Sequence, residues 1–445
     1  VVVVWDAYPH GETVDGACLD LGDGTRTQYI SKNSHINYHM RRILGERNYA
    51  IAGGNLHISQ VDNAEAKIAA EIFETLTAEG RLRIAMASPS TVTEIHDSLD
   101  AEKDFVGVGC IGFPSRYAQV NEFPVVFNTS FFVFEEEDYQ SAFSVLGDVY
   151  HLQIHQGVIV LPPIYRRSAF LVNKENEVLI RRVSLSDIEI NCLGKCWDLS
   201  QFTHNEPSSH AIYTRYFGIS TDNRTYGFTP HNPDNLDLVV IGRSIVGARV
   251  HGRVEIPQNG FVISLPIGEI QGQPLTDFTV SYEFCDADLK DITEGLQCGP
   301  SLVENGQISL TPQSLRTEEF FRKRHVDGAI VDYGVVPTDY AGDIGETRAA
   351  RALVGVDYEN RIRVLAVEDV NKGMDEPEGE SSGATLLEMA SLAQERGYKH
   401  ALNLDGGGST NIQFMFGNLV KLADRRGLPG VVYERMVPGV GVIGG

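Results

Sequence analysis

Positive charge is in short supply in this sequence: 37 Lys and Arg stand against 60 Asp and Glu, for a formal net charge of −23. That balance argues against a nucleic-acid-binding surface, which needs clustered Lys and Arg against phosphate. It leaves room for a local basic pocket that holds a phosphate, because net charge averages over the whole surface. Long apolar runs are missing too. No stretch of about 18 apolar residues occurs, so no segment is expected to span a membrane. Cysteine is scarce: the six, Cys18, Cys110, Cys192, Cys196, Cys285 and Cys298, are too few in 445 residues for a disulfide scaffold. Reduced, structural thiols are the expectation. Cys192-x3-Cys196 is the one close pair, and it lacks a second Cys/His pair at zinc spacing. His151, His155, His204, His210, His231 and His325 are scattered, with no His-x-x-x-His helix, so neither a metal nor another cofactor is expected. Val1–Val4 lacks a starting Met and a basic flank, and so does not read as an intact signal peptide. With none in view, the cytoplasm is favoured over secretion, and a removed signal stays open.

What remains is enough chain for two or three domains and a large core. At 42% hydrophobic and 22% charged residues, it reads as an ordinary soluble globular protein. The pattern predicts an α+β protein: a small α/β unit over residues 1–118, then a β-rich domain over 119–445 with mixed sheets and few helices. Within Asp62–Glu79, Ile68, Ile72, Phe73 and Leu76 fall on one helical face and Gly80 closes it. Leu82–Ala87 reads as a strand and Ser88-Pro89 as the next helix start. Further along, Val158–Leu161, Ala169–Val172, Val178–Arg182, Leu238–Ile241, Phe261–Leu265, Val364–Val367 and Val440–Ile443 read as short strands, with hairpin chemistry at Asn173–Asn176. One clear helix interrupts them at Thr385–Arg396, with Leu386, Met389, Ala390 and Ala393 on one face and Gly397 at its stop. Asp375–Ser382 is an exposed loop. Ala401–Leu404 is a buried strand.

That strand runs into Asp405-Gly406-Gly407-Gly408-Ser409-Thr410. Three residues without Cβ let the backbone approach a ligand closely, and successive amides in such a turn form an anion-holding nest. Ser409 and Thr410 add hydroxyls, and Asp405 adds a carboxylate. A glycine-rich turn with a capping Asp fits the same residues, and the two readings stand side by side. The loop is neither a P-loop nor a dinucleotide fingerprint.

Strand-Asp-Gly-Gly-Gly-Ser-Thr, after an amphipathic helix and before Ile412–Phe416 with Gly417-Asn418, resembles the signature of the phosphodiester glycosidase family. Other segments match that family in collinear order over roughly residues 120–445. They are Phe127–Phe132, Arg167-Ser168-Ala169-Phe170, Cys298-Gly299-Pro300-Ser301-Leu302-Val303 with Asn305-Gly306, Arg351–Val356, Asp369 and Glu434-Arg435. Thr129-Ser130, Cys298 and Ala352 depart from the pattern, and the N-terminal unit has no counterpart in it.

The resemblance implies a hydrolase that cleaves a sugar-1-phosphodiester. Such a reaction needs one carboxyl group to assist departure of the phosphate and another to activate water or attack. Asp405, Asp369 and Glu434 are the catalytic candidates. The phosphate needs cations and amides. Arg167 and Arg351 lead there, and Asn128, Ser168, Gly299, Gly406, Gly407, Gly408, Ser409 and Thr410 complete the expected substrate-binding set. The partner is then a small-molecule or glycan phosphodiester, not nucleic acid; self-association stays open. The rival readings are a module that binds a phosphosugar or glycan in the same cleft without turnover, and a partner-binding protein.

Overall fold

The computed structural model describes residues 18–20, 26–28, 68–75, 82–86, 111–121, 125–133, 147–217, 227–270, 279–326, 329–334, 348–369, 383–414, 417–420 and 434–443. Ser88-Pro89, Cys110 and Asp375–Ser382 lie outside them. The elements that position the site are, in chain order, β1 (Ile68–Thr75), β2 (Leu82–Met86), α1 (Pro114–Asn121), β3 (Val125–Asn128), β4 (Arg167–Asn173), β5 (Ile292–Gln297) and β6 (Ser301–Glu304). They continue with β7 (Arg351–Asp357), β8 (Arg361–Val367), α2 (Leu386–Glu395), β9 (Tyr398–Asn403), β10 (Ile412–Phe414) and β11 (Gly439–Ile443).

Two antiparallel sheets carry the site. In one, β9 is an interior strand between β6 and β7, followed outward by β8 and β1. In the other, β10 pairs with β3, β3 with β11, and β11 with β2. A third sheet holds β4 between β5 and Val178–Val183. A fourth, built on His231–Ile241 and Gly260–Pro266, contains a parallel pair, Thr203–His204 with Ala211–Tyr213. The protein is a strand-rich α+β fold with mixed sheets and few helices.

The runs read as wholly apolar strands become sheet interiors. All seven residues of β7 are buried, as are six of seven in β8, which fits strands covered on both faces. Helix α2 forms as its pattern requires. Thr385 accepts from the Glu388 N–H and Glu388 reaches back to the Thr385 N–H, closing a capping box. Leu386, Met389, Ala390 and Ala393 are fully buried, and Gly397 ends the helix at φ +78°. Burying Leu386 and Met389 stabilises the fold by about 1.5–3 kcal/mol each. Asn173 Oδ1 accepts from the amides of Glu175 and Glu177, and Asn176 takes φ +62°, completing the expected hairpin.

The N-terminal region departs from expectation. Ile68–Thr75 is a strand, not a helix. Positions four apart share a face in both periods, so Ile68 and Ile72 satisfied the helical pattern while fitting a strand. β1 pairs along β8 from Arg361↔Thr75 to Val367↔Ile68, and β2 pairs along β11 from Gly439↔Met86 to Ile443↔Leu82. Both strands extend sheets that residues 119–445 build.

Candidate active site

β9 delivers the glycine loop from one sheet into the other, where β10 takes the chain up. The loop is fixed at both walls. The Leu404 and Gly407 amides donate to the carbonyls of Ala352 and Ala350, at the start of β7. The Asp405 amide donates to the Thr129 carbonyl at 2.8 Å, just past the end of β3. Asn128 clasps the loop's two ends: its Nδ2 donates to the Asp405 carbonyl at 2.7 Å and its Oδ1 accepts from the Asn411 amide at 3.1 Å.

Within that frame the Asp405 side chain is almost sealed, with 6% of its surface exposed. Burial pushes its carboxyl up to about 6, against the Ser409 hydroxyl, Arg435, the Gly406 N–H and Arg351, all of which favour the charged form. The Gly406 amide donates to its Oδ1 at 2.9 Å. Arg351, on β7, donates from Nε to the Ala384 carbonyl at 3.2 Å.

The glycines make space for guanidiniums. A Cβ on Gly408 would stand 2.5–2.9 Å from three guanidinium atoms of Arg435. One on Gly406 would meet the Ala350 carbonyl at 2.8 Å and the Arg351 side chain from 3.5 Å. Gly407 takes φ +57°, a left-handed turn. The expected nest of free amides is not what the loop forms. The Gly406, Gly407, Ser409 and Thr410 amides donate to Asp405 Oδ1 and to the carbonyls of Ala350, Gly406 and Gly407. A 3-10 turn over Gly407–Ser409 directs them inward. Positive charge at the loop therefore comes from Arg351 and Arg435. Thr410 is fully buried and its hydroxyl has no hydrogen-bond partner.

The other expected residues fall in four places. Arg167, on β4, is completely buried. Its guanidinium stacks on Phe320 at 3.9 Å and bonds His151 Nε2 at 3.0 Å, and burial pulls it down to about 10. Burial first, then Arg167, holds His151 well below its ordinary value, so the ring is neutral and accepts. In this conformation Arg167 offers no surface to an incoming phosphate. Cys298 lies between the two regions: its fully buried thiol is raised first by burial and next by Asp405, and it also bears on Arg167. Ser168 and Gly299 sit around Glu318, whose carboxylate accepts from the Ser168 and Ser301 amides at 2.9 and 3.0 Å. A Cβ on Gly299 would stand 2.9 Å from that carboxylate, and its φ is +89°.

Glu434 is tied down. It accepts from the Ser115 amide at 2.8 Å, from the Ser115 hydroxyl, and from Asn411 Nδ2 at 3.0 Å. It thereby joins the first turn of α1 to the end of the loop. Asp369 is half-buried two residues beyond β8, whose Val367 pairs with Arg351.

Sequence reasoning missed Arg435 as a site residue, although Glu434-Arg435 was visible and three glycines in a row left space for something bulky. It also missed Glu318 and Phe320, which carry no pattern. Among the described residues no group of three His, Cys, Asp or Glu is arranged to hold a metal ion.

A strand-rich α+β domain, with its glycine loop set between two sheets and two arginines against the glycines, is of the phosphodiester-glycosidase type. The model of the phosphodiester glycosidase family matches residues 216–439, half of the chain, and the chain belongs to that family. Arg351, Asp369, Asp405, Glu434 and Arg435 lie inside the matched span; Asn128 and Arg167 lie before it. No curated protein sequence matches the chain. Among solved structures it is similar to a hypothetical protein from Synechocystis, at 18% identity and TM-score 0.47 over 84% of this chain. It spans only 61% of that protein's length. A Burkholderia pseudomallei protein matches at 17% identity and TM-score 0.49, over 83% of this chain and 72% of its own. The zebrafish N-acetylglucosamine-1-phosphodiester alpha-N-acetylglucosaminidase catalytic domain matches at 11% identity and TM-score 0.38, over 82% of this chain and 73% of its own.

Proposed function

We propose that this protein hydrolyses the bond between the anomeric carbon of a sugar and a phosphodiester. One observation carries the reading: a buried carboxyl, Asp405, raised to about 6 in a loop flanked by the Arg351 and Arg435 guanidiniums. A carboxyl that keeps its proton up to about pH 6 can give it to the departing phosphate. Two guanidiniums balance the charge on that phosphate with rigid, paired donors. Asp369, at the same sheet end as Arg351, is the candidate to activate water or attack the sugar. Asn128 sets the loop by bonding both of its ends. The glycosidase name of the family points the same way on substrate class.

The same guanidiniums would hold a phosphosugar without turnover, and Glu434, locked by three hydrogen bonds, is the observation on that side. A screen of sugar-1-phosphodiesters against wild type and Asp405→Asn separates the two readings. Hydrolysis by wild type, lost in Asp405→Asn with binding retained, is expected. Tight binding with no hydrolysis by either protein would overturn the enzymatic reading.

A further inference from the structure

A second basic site lies in the fourth sheet, on the hairpin formed by His231–Ile241 and Ser244–Gly252. Its cavity of about 410 Å³ is lined by His231, Arg249, Val250, His251, Gly252 and Arg253. Four of these six are basic and none is acidic, in a chain with far more carboxylates than cations.

The backbone here is held in an unusual shape. His251, Gly252 and Arg253 take φ +70°, +75° and +59° in succession, a left-handed run that only glycine adopts easily. Three side-chain bonds fasten it. His231 Nδ1 donates to the His251 carbonyl at 2.7 Å, His251 Nδ1 to the Pro233 carbonyl at 2.7 Å, and Arg249 to the Arg253 carbonyl at 3.0 Å. A Cβ on Gly252 would strike the Pro230 carbonyl at 2.1 Å, so position 252 needs glycine. These bonds occupy one nitrogen of each histidine and one of Arg249, and leave the remaining donors of both arginines to the cavity rim.

Nearby carboxylates do not neutralise the cluster. Neither Arg249 nor Arg253, nor either histidine, forms an ion pair among the described residues. Asp234 is exposed on the same strand as His231, Asp237 stands opposite Arg249 in the ladder but is buried and accepts from the Thr229 hydroxyl, and Glu255 pairs with Arg215. Two exposed guanidiniums without carboxylate partners, one of them fastened to the hairpin backbone, match a tetrahedral oxyanion, which accepts parallel N–H bonds from a guanidinium.

We infer that this hairpin is a second anion-binding site, separate from the glycine loop, which takes a phosphate or sulfate group. It does not depend on the proposed reaction, because none of its residues belongs to the candidate active site.

The test follows the ring signals of His231 and His251 by NMR, assigned with His231→Gln and His251→Gln. The probes are inorganic phosphate, inorganic sulfate and a hexose 6-phosphate, against sodium chloride at matched ionic strength. A saturable shift with the oxyanions and not with chloride is expected, weakened at least tenfold in Arg249→Gln/Arg253→Gln and less in Arg249→Lys/Arg253→Lys, which keeps the charge and loses the paired donors. Tighter binding of the hexose phosphate assigns the anion to a glycan substituent; equal binding assigns it to free phosphate, and either supports the site. Shifts that match chloride, or that persist unchanged in the glutamine double variant, overturn it.

Discussion

Replacing Asp405 with Asn should reduce activity and raise stability at neutral pH. The carboxyl is raised from 3.8 to about 6, so the folded protein holds its proton more tightly than the unfolded chain does. For an acid shifted upward, stability is greatest below the unfolded value and falls as pH climbs from about 4 to about 6. A shift of about two units corresponds to about 3 kcal/mol of destabilisation at pH 7. The side chain is almost fully buried, so solvent screening does little to reduce that figure. Asn carries no charge, and its Oδ1 can still accept from the Gly406 amide. Near pH 4 the variant and wild type should therefore melt together, and by pH 7 the variant should be the more stable. Turnover should fall by about 10²–10⁴-fold, as for loss of a general acid. The assay pairs thermal melts at pH 4, 5, 6 and 7 with turnover of a sugar-1-phosphodiester. A stability difference that does not change with pH would refute the reasoning about burial, and full activity would refute the proton-donor role.

If Asp405 acts as the acid, wild-type turnover should decline as pH rises above about 6, and a rate profile flat from pH 5 to 8 would remove that role. Gly408→Ala pushes against the movable Arg435 guanidinium, whereas Gly406→Ala pushes against the Ala350 backbone carbonyl. The first should lose activity with little change in melting temperature, and the second should lose about 1–3 kcal/mol of stability on denaturant titration. Glu434→Ala leaves Ser115 and Asn411 without their acceptor and should cost about 1–3 kcal/mol. Arg167→Ala removes a buried guanidinium from Phe320 and His151, so it should destabilise more than any glycine change, with loss of folded protein preceding any effect on KM.

Much of the fold was legible because its elements are locally consistent. Val158–Leu161 and Val364–Val367 are wholly apolar and rich in β-branched residues, and α2 combines a capping box, one apolar face and a stopping glycine. The reading failed at Ile68–Thr75, where a spacing of four fits both periods and only pairing with β8 decides. The loop was legible in position but not in chemistry. Its glycines suggested free amides, whereas hydrogen bonds to Asp405 and Ala350 take up those of Gly406 and Gly407, and the space serves Arg435. Arg167 carried the charge expected of a phosphate ligand, but sequence does not show that Phe320 and Tyr165 close over it.

The central claim is cleavage at the sugar carbon and not at phosphorus, and hydrolysis in ¹⁸O-labelled water tests it directly. Attack at the anomeric carbon, the outcome expected here, places the label in the sugar's C1 hydroxyl and leaves the phosphate unlabelled. Label in the phosphate would mean P–O cleavage and would contradict the account.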